Sequence, residues 1–208
     1  AMILSLFNKL SQADKEIREG KWNRESNRGV ELSGKTIGIV GYGNMGKSFA
    51  KCLYGFDCRV LAYDKYKNDI SDGYVTESSL EDIQRNAEII SFHIPYDEST
   101  HHYLNEKFVQ NMHKKFYLIN TSRGKVVKTE AVSKGLKTGK ILGACLDVLE
   151  FEKRSFEDMF DQEMPLVFKE LLESKNVLLS PHVAGWTKES YKKLSLVLAE
   201  KIELTFGS

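Results

Sequence analysis

The segment Lys35-Thr36-Ile37-Gly38-Ile39-Val40-Gly41-Tyr42-Gly43-Asn44-Met45-Gly46-Lys47 organises everything else in this 208-residue chain. A short apolar run reads as a buried strand, G-x-G-x-x-G closes it, and a helical pattern follows. At such a junction Gly41 permits the tight turn, and Gly43 lets backbone approach a pyrophosphate. Gly46 lets the helix pack close to the strand. Asn44 and Met45 open that helix, where free N–H groups and the positive end of the dipole favour phosphate. Asp64 then closes the next apolar run, Arg59-Val60-Leu61-Ala62-Tyr63. A carboxylate there accepts hydrogen bonds from an adenosine ribose and repels a 2′-phosphate, so the pair of segments predicts NAD rather than NADP. Lys65 and Lys67 follow closely and would soften that preference.

Outward from this segment, apolar runs recur with helical patterns between them. The strand candidates are Thr36–Val40, Arg59–Tyr63, Glu88–Ile94, Phe116–Asn120, Gly143–Val148 and Val177–Ser180. Short apolar strands alternating with helices predict an α/β, doubly wound parallel sheet of the Rossmann type, covered on both faces. Local signals mark the helix starts. Ser78-Ser79-Leu80-Glu81 reads as a capping box. Thr129 reads as the cap of a helix over Glu130–Lys137, ended by Gly139, and Pro165 suits the first turn of Leu166–Ser174. Thr187 caps a long last helix whose Tyr191, Leu194, Leu198 and Ile202 form one apolar face in need of a partner.

Residues 1–32 read as a separate helical arm. Leu4, Phe7, Leu10 and Ile17 make a loose stripe, which would either fold back on the body or pack on another subunit. The second is expected, as a dimer contact. Ala1 ahead of Met2 reads as a remnant of cloning. The charged stretch Glu150–Glu163, with Phe151, Phe156 and Phe160, reads as an irregular excursion.

Charge is nearly balanced, 30 basic against 29 acidic residues, which points away from nucleic-acid and membrane-surface partners. No apolar run approaches bilayer-spanning length, and no basic stretch precedes a hydrophobic one at the N-terminus. Cys52, Cys58 and Cys145 form no C-x-x-C pair and read as reduced thiols of a cytoplasmic protein. No metal ligation is expected.

Three later segments carry chemistry: Asn120-Thr121-Ser122-Arg123-Gly124, Leu146-Asp147-Val148-Leu149-Glu150-Phe151-Glu152, and Leu179-Ser180-Pro181-His182-Val183-Ala184-Gly185. Each follows a strand, and open parallel sheets collect ligands at the carboxyl ends of their strands. Beside a nicotinamide, a 2-hydroxy or 2-oxo acid needs a proton donor or acceptor at its oxygen. Imidazole, with an ordinary pKa of about 6.5, suits that role. A neighbouring carboxylate would orient the ring, and an arginine fork would pair with the substrate carboxylate. The reading assigns His182 as acid/base, Glu152 as its partner, with Glu150 competing, and Arg123 as substrate clamp.

These segments, together with Leu32–Gly41, closely resemble the D-isomer-specific 2-hydroxyacid dehydrogenases. The shared motifs are N-x-x-R-G at Asn120, Arg123 and Gly124, G-A-x-x-D-V from Gly143 to Val148, and Pro181-His182. The resemblance implies Arg123, Glu152 and His182 as the catalytic set, with Glu152 preferred over Glu150 by its distance from Asp147. It also implies that Asp147 contacts the nicotinamide carboxamide, that Asp64 binds the ribose, and that Pro95 and Thr121 line the cofactor. The N-terminal stripe then corresponds to a dimer-forming arm. Two features depart from the family pattern: Lys153 stands where proline usually follows the catalytic glutamate, and the stretch from Glu152 to His182 is long.

The resemblance divides the chain into the arm (1–32), a dinucleotide-binding domain (33–186) and a C-terminal helix (187–208) leading toward a substrate domain absent from the chain. It leans toward the phosphoglycerate dehydrogenase branch, and the fragment is expected to bind NAD with little or no turnover. A small 2-hydroxy acid and a homodimer are the expected partners. Two other readings remain: an NAD(H)-responsive, corepressor-like interaction protein, and a relative of S-adenosylhomocysteine hydrolase that uses bound NAD transiently.

Overall fold

A computed structural model describes residues 1–152 and 165–207. The strands are β1 (Thr36–Val40), β2 (Arg59–Tyr63), β3 (Thr76–Glu77), β4 (Ile89–Phe92), β5 (Phe116–Asn120), β6 (Ile141–Leu146) and β7 (Val177–Leu179). They form one sheet in the order β3-β2-β1-β4-β5-β6-β7, and every pairing is parallel. The helices are α1 (Met2–Phe7), α2 (Leu10–Arg18), α3 (Asn44–Leu53), α4 (Leu80–Asn86), α5 (Glu106–Asn111), α6 (Thr129–Lys137), α7 (Leu166–Glu173) and α8 (Lys188–Phe206).

Strand alternation sends successive side chains to opposite faces of the sheet. Ile37 and Ile39 of β1 join Ala50 and Leu53 of α3 and Ile3 and Phe7 of α1 in one apolar layer. Val40 of the same strand joins Ile83 of α4, Phe108 of α5, Val132 of α6 and Phe168 of α7 in the other. Alternation puts Gly38 on that second face, where a Cβ would come within 2.5 Å of Ile83 Cγ2, so its absence seats α4 on β1. Both faces being covered is why the strands read as nearly continuous apolar runs.

Strands β1, β2 and β5 match their expected ranges, while the bounds of β4, β6 and β7 differ by one or two residues. The sequence reading missed β3, a two-residue exposed edge strand with no apolar run to announce it. Three helix starts need correction. Thr129 is the first residue of α6 rather than its cap, because its N–H donates to Glu150 Oε2 at 2.8 Å. Pro165 is the residue before α7, outside the first turn. Ser79 caps α4 by accepting from Asp82 N–H, and its hydroxyl pairs with Asp82, so Glu81 closes no reciprocal box. Thr187 caps α8 as expected, with Ser190 completing a capping box.

The arm divides in two. Helix α1 lies on its own sheet, with Phe7 against Tyr117 at a ring separation of 4.5 Å. Helix α2 buries no residue, and Leu10, Ile17 and Trp22 are exposed. Helix α8 likewise buries nothing, so the sheet does not cover the Tyr191–Ile202 face. Phe156, Phe160 and Lys153 of the expected excursion lie outside the described residues.

Candidate functional site

The strand order reverses between β1 and β4, and this is where an open parallel sheet offers a crevice at its carboxyl ends. A cleft of about 390 Å³ lies there, lined by Gly41, Gly43, Asp64, Lys65, Lys67, His93, Pro95 and Tyr103 among others. Gly41 adopts φ +94°, and a Cβ on it would meet the His93 carbonyl at 2.6 Å. A Cβ on Gly46 would lie 2.2 Å from the Gly41 carbonyl oxygen. The loop is thus compressed between strand and helix at both ends. Gly43 between them faces open space, with nothing within 4 Å of a built Cβ. Gly43 is the N-cap of α3, and Asn44 and Met45 occupy its exposed first turn. The first N–H groups of a helix lack intrahelical acceptors, so this end has donors for an anion.

Asp64 closes the other wall. Its carboxylate accepts from Tyr42 N–H at 2.8 Å and from Tyr66 N–H at 3.0 Å, which fixes it beside the glycine loop. Pro95 begins the turn opposite, its carbonyl accepting from Thr100 Oγ1 at 2.8 Å. Tight glycines, an open Gly43, a helix start and an anchored carboxylate are together the features a dinucleotide needs.

Further along the same edge, three loops leave β5, β6 and β7. Asn120 is fully buried and shapes the first: its amide donates to the Arg123 carbonyl, and its oxygen accepts from the backbone and hydroxyl of Ser122. A Cβ on Gly124 would overlap the Leu149 carbonyl at 1.9 Å, so this loop sits directly on the one after β6. That contact explains the residue types at the two ends of Asn120–Gly124. The Arg123 side chain is exposed, with Nη1 donating to the Ser122 carbonyl at 2.7 Å. Thr121 is partly buried between them.

Glu152 Oε1 lies 3.4 Å from His182 Nδ1, bringing the expected acid/base and its partner together. Glu150 is committed elsewhere, to His102 Nε2 at 2.5 Å and to Thr129 N–H. His182 has φ 56°, a left-handed conformation uncommon for a residue with a Cβ. Asp147 imposes it. Its carbonyl accepts from His182 N–H at 2.7 Å, and its buried carboxylate accepts from Ser180 Oγ and from the N–H groups of Val183 and Ala184. Both carboxylate oxygens that the resemblance assigned to a nicotinamide carboxamide are therefore hydrogen-bonded within the chain.

Comparison with known proteins places this geometry. Residues 1–184 match the D-isomer specific 2-hydroxyacid dehydrogenase, NAD binding domain, family. The chain belongs to that family. It is 36% identical to a glyoxylate reductase of Thermofilum pendens over 208 residues, covering 97% of this chain and 58% of the relative. It is also 36% identical to 2-hydroxyacid dehydrogenase A of Aspergillus oryzae, covering 98% of this chain and 59% of that protein. Among solved structures, D-lactate dehydrogenase of Lactobacillus jensenii with NAD+ superposes with a TM-score of 0.84 at 30% identity, covering 100% of this chain and 64% of that one. The chain thus spans about three fifths of the curated relatives it matches.

In this NAD-binding domain the sequence reading passed over His93, although it stands next to Ile94-Pro95 at the end of β4. Its ring lines the cleft, packs 5.2 Å from Phe49, and has Nε2 within 2.8 Å of Ser91 Oγ. Burial pushes its pKa down to about 4. The unfolded imidazole, at about 6.5, takes up its proton first, so stability is complete above that value and falls as pH drops toward 4. The expected loss across this window is about 3 kcal/mol. Urea titrations of the wild type and His93→Gln between pH 7 and 4 check this. A wild-type profile as flat as that of the variant would refute it.

Proposed function

We propose that this domain belongs to an NAD-dependent D-2-hydroxyacid dehydrogenase in which His182 exchanges the proton of the substrate oxygen, Glu152 orients its ring, and Arg123 pairs with the substrate carboxylate. The Glu152–His182 pair at the carboxyl ends of neighbouring strands carries this reading. Bound NAD(H) supplies or accepts the hydride. The chain's own residues hold the proton relay and the cofactor's anionic groups. Gly41, Gly43 and Gly46 shape the pyrophosphate turn, with Asn44 and Met45 offering helix-start N–H groups. Asp64 accepts from the adenosine ribose, Pro95 and Thr121 flank the nicotinamide half, and Asp147 acts by fixing the His182 loop.

The substrate class is a small 2-hydroxy or 2-oxo acid. Similar relatives are named for glyoxylate, hydroxypyruvate and D-lactate, and 3-phosphoglycerate belongs to the same chemical class. Residues 33–186 form the dinucleotide-binding unit, and 187–208 lead toward a substrate domain in the remaining two fifths of such a protein. Without that domain the fragment binds NAD with little turnover. The exposed Leu10, Ile17 and Trp22 of the 1–32 arm suit a homodimer contact, and the setting is the cytoplasm. Calorimetric titration of the 208-residue chain tests the cofactor part. NADH is expected to bind saturably and at least about tenfold more tightly than NADPH, the scale of one close like-charge contact at Asp64. Binding of neither, or preference for NADPH, overturns it.

A further inference from the structure

Tyr42, between the first two glycines, contacts the 64–72 stretch at three points. Its N–H donates to Asp64 Oδ2 at 2.8 Å, its carbonyl accepts from Lys67 Nζ at 3.2 Å, and its phenol donates to Asp72 Oδ2 at 2.9 Å. The residue is 5% exposed, packed in the apolar layer beneath α3. Burial, with Asp72 beside it, pushes its pKa well above the ordinary tyrosine value, so the phenol remains a donor. Asp72 is itself fixed, its other oxygen accepting from Tyr74 and Val75 N–H, and Lys47 Nζ lies 3.7 Å away.

The stretch from Asp64 to Val75 is therefore pinned to the glycine loop at both ends and in the middle. Asp64 anchors one end and Asp72 the other. Lys67 is tethered between them. Two cations flank the ribose-side carboxylate, and each is engaged: Lys67 on the Tyr42 carbonyl, and Lys65 on Ser99 Oγ at 3.2 Å. A 2′-phosphate entering here would need one of these ammonium groups to offset the charge of Asp64.

We propose that Tyr42 is a positioning residue for cofactor choice. Through Asp72 it holds the 65–75 loop so that the Lys67 ammonium stays on backbone instead of turning to a 2′-phosphate beside Asp64. NAD preference then depends on the Tyr42–Asp72 hydrogen bond as well as on Asp64. The inference rests on the cleft being the dinucleotide site.

The test is calorimetric titration of the 208-residue chain with NADH and with NADPH. Tyr42→Phe keeps the buried ring and removes only the donor. Its NADH-over-NADPH preference is expected to fall about tenfold, the scale of one charge-assisted hydrogen bond. Asp72→Asn, which can offer an amide N–H to the phenol oxygen, is expected to fall less. Tyr42→Phe combined with Lys67→Ala is expected to regain the preference, since the freed ammonium is gone. A proportional loss of both affinities in Tyr42→Phe would show a merely structural tyrosine and overturn the proposal. An equally reduced preference in the double variant would overturn the role of Lys67. If the wild type binds NADH but Tyr42→Phe leaves the ratio unchanged, this inference fails alone. If the wild type binds neither cofactor, the cleft reading fails and takes this one with it.

Discussion

Gly46→Ala is expected to weaken NADH binding at least about a hundredfold and to lower stability, whereas Gly43→Ala is expected to weaken binding alone. The two glycines are three residues apart in one motif, but their surroundings differ. At Gly46 the new methyl would sit 2.2 Å from the Gly41 carbonyl oxygen and 3.4 Å from Ile39 Cγ2. The first of these is backbone and cannot swing aside. Gly41 is itself held, its N–H donating to the Tyr63 carbonyl at 2.8 Å, and His93 and Ile94 fill the space where its side chain would stand. Relief must come from α3 moving outward by about an ångström, the cost of overpacking being about 1–3 kcal/mol. That movement carries the helix-start N–H groups with it, and misplacement on this scale costs about a hundredfold where geometry is exacting. At Gly43 the methyl meets nothing within 4 Å, so the fold tolerates it. It would project into the space assigned to the pyrophosphate. Denaturant unfolding and NADH titration of both variants separate these effects. Unchanged NADH affinity in Gly43→Ala would remove the phosphate from that position, and unchanged stability in Gly46→Ala would mean that the α3 seat is loose.

What the sequence disclosed follows the range of the forces involved. Strands β1, β2 and β5 are written locally, as apolar runs bounded by glycine or polar residues. The glycine loop is equally legible, since its residue types answer to contacts within a single strand–turn–helix unit. Thr129 failed as a cap for the opposite reason: its N–H is taken by Glu150, which arrives from beyond β6. The same carboxylate, by engaging Thr129 and His102, leaves Glu152 as the one beside His182. Spacing from Asp147 suggested that choice, but only the packing gives its physical reason. The four hydrogen bonds by which Asp147 sets the His182 loop, and the Tyr42–Asp72 contact across the glycine loop, join segments that no local pattern connects. The apolar stripe of α8 was visible, yet a stripe specifies only that a partner is needed.

In a protein that carries this domain together with a substrate domain, His182→Gln is expected to lower kcat/KM about a thousandfold while NADH affinity stays within about twofold. General acid–base groups contribute roughly a hundred- to ten-thousandfold, and glutamine keeps volume and polarity without a transferable proton. Glu152→Gln is expected to cost less, about ten- to a hundredfold, because the ring remains but loses the carboxylate 3.4 Å from Nδ1. Asp147 still holds the backbone of that loop in either variant, so the effects report on chemistry and not on a collapsed turn. Arg123→Lys should act differently. A lysine keeps the charge but gives up the two-pronged pairing with a carboxylate, so KM for the 2-oxo acid should rise. Steady-state reduction of glyoxylate, hydroxypyruvate and pyruvate with NADH, paired with NADH titration of each variant, measures the split. A His182→Gln enzyme within tenfold of wild type would remove His182 from proton transfer. A wild type that binds NADH but reduces none of these acids, nor the 2-oxo product of 3-phosphoglycerate, would shift the reading to a nucleotide-responsive interaction protein. The pair would then be inherited geometry without turnover.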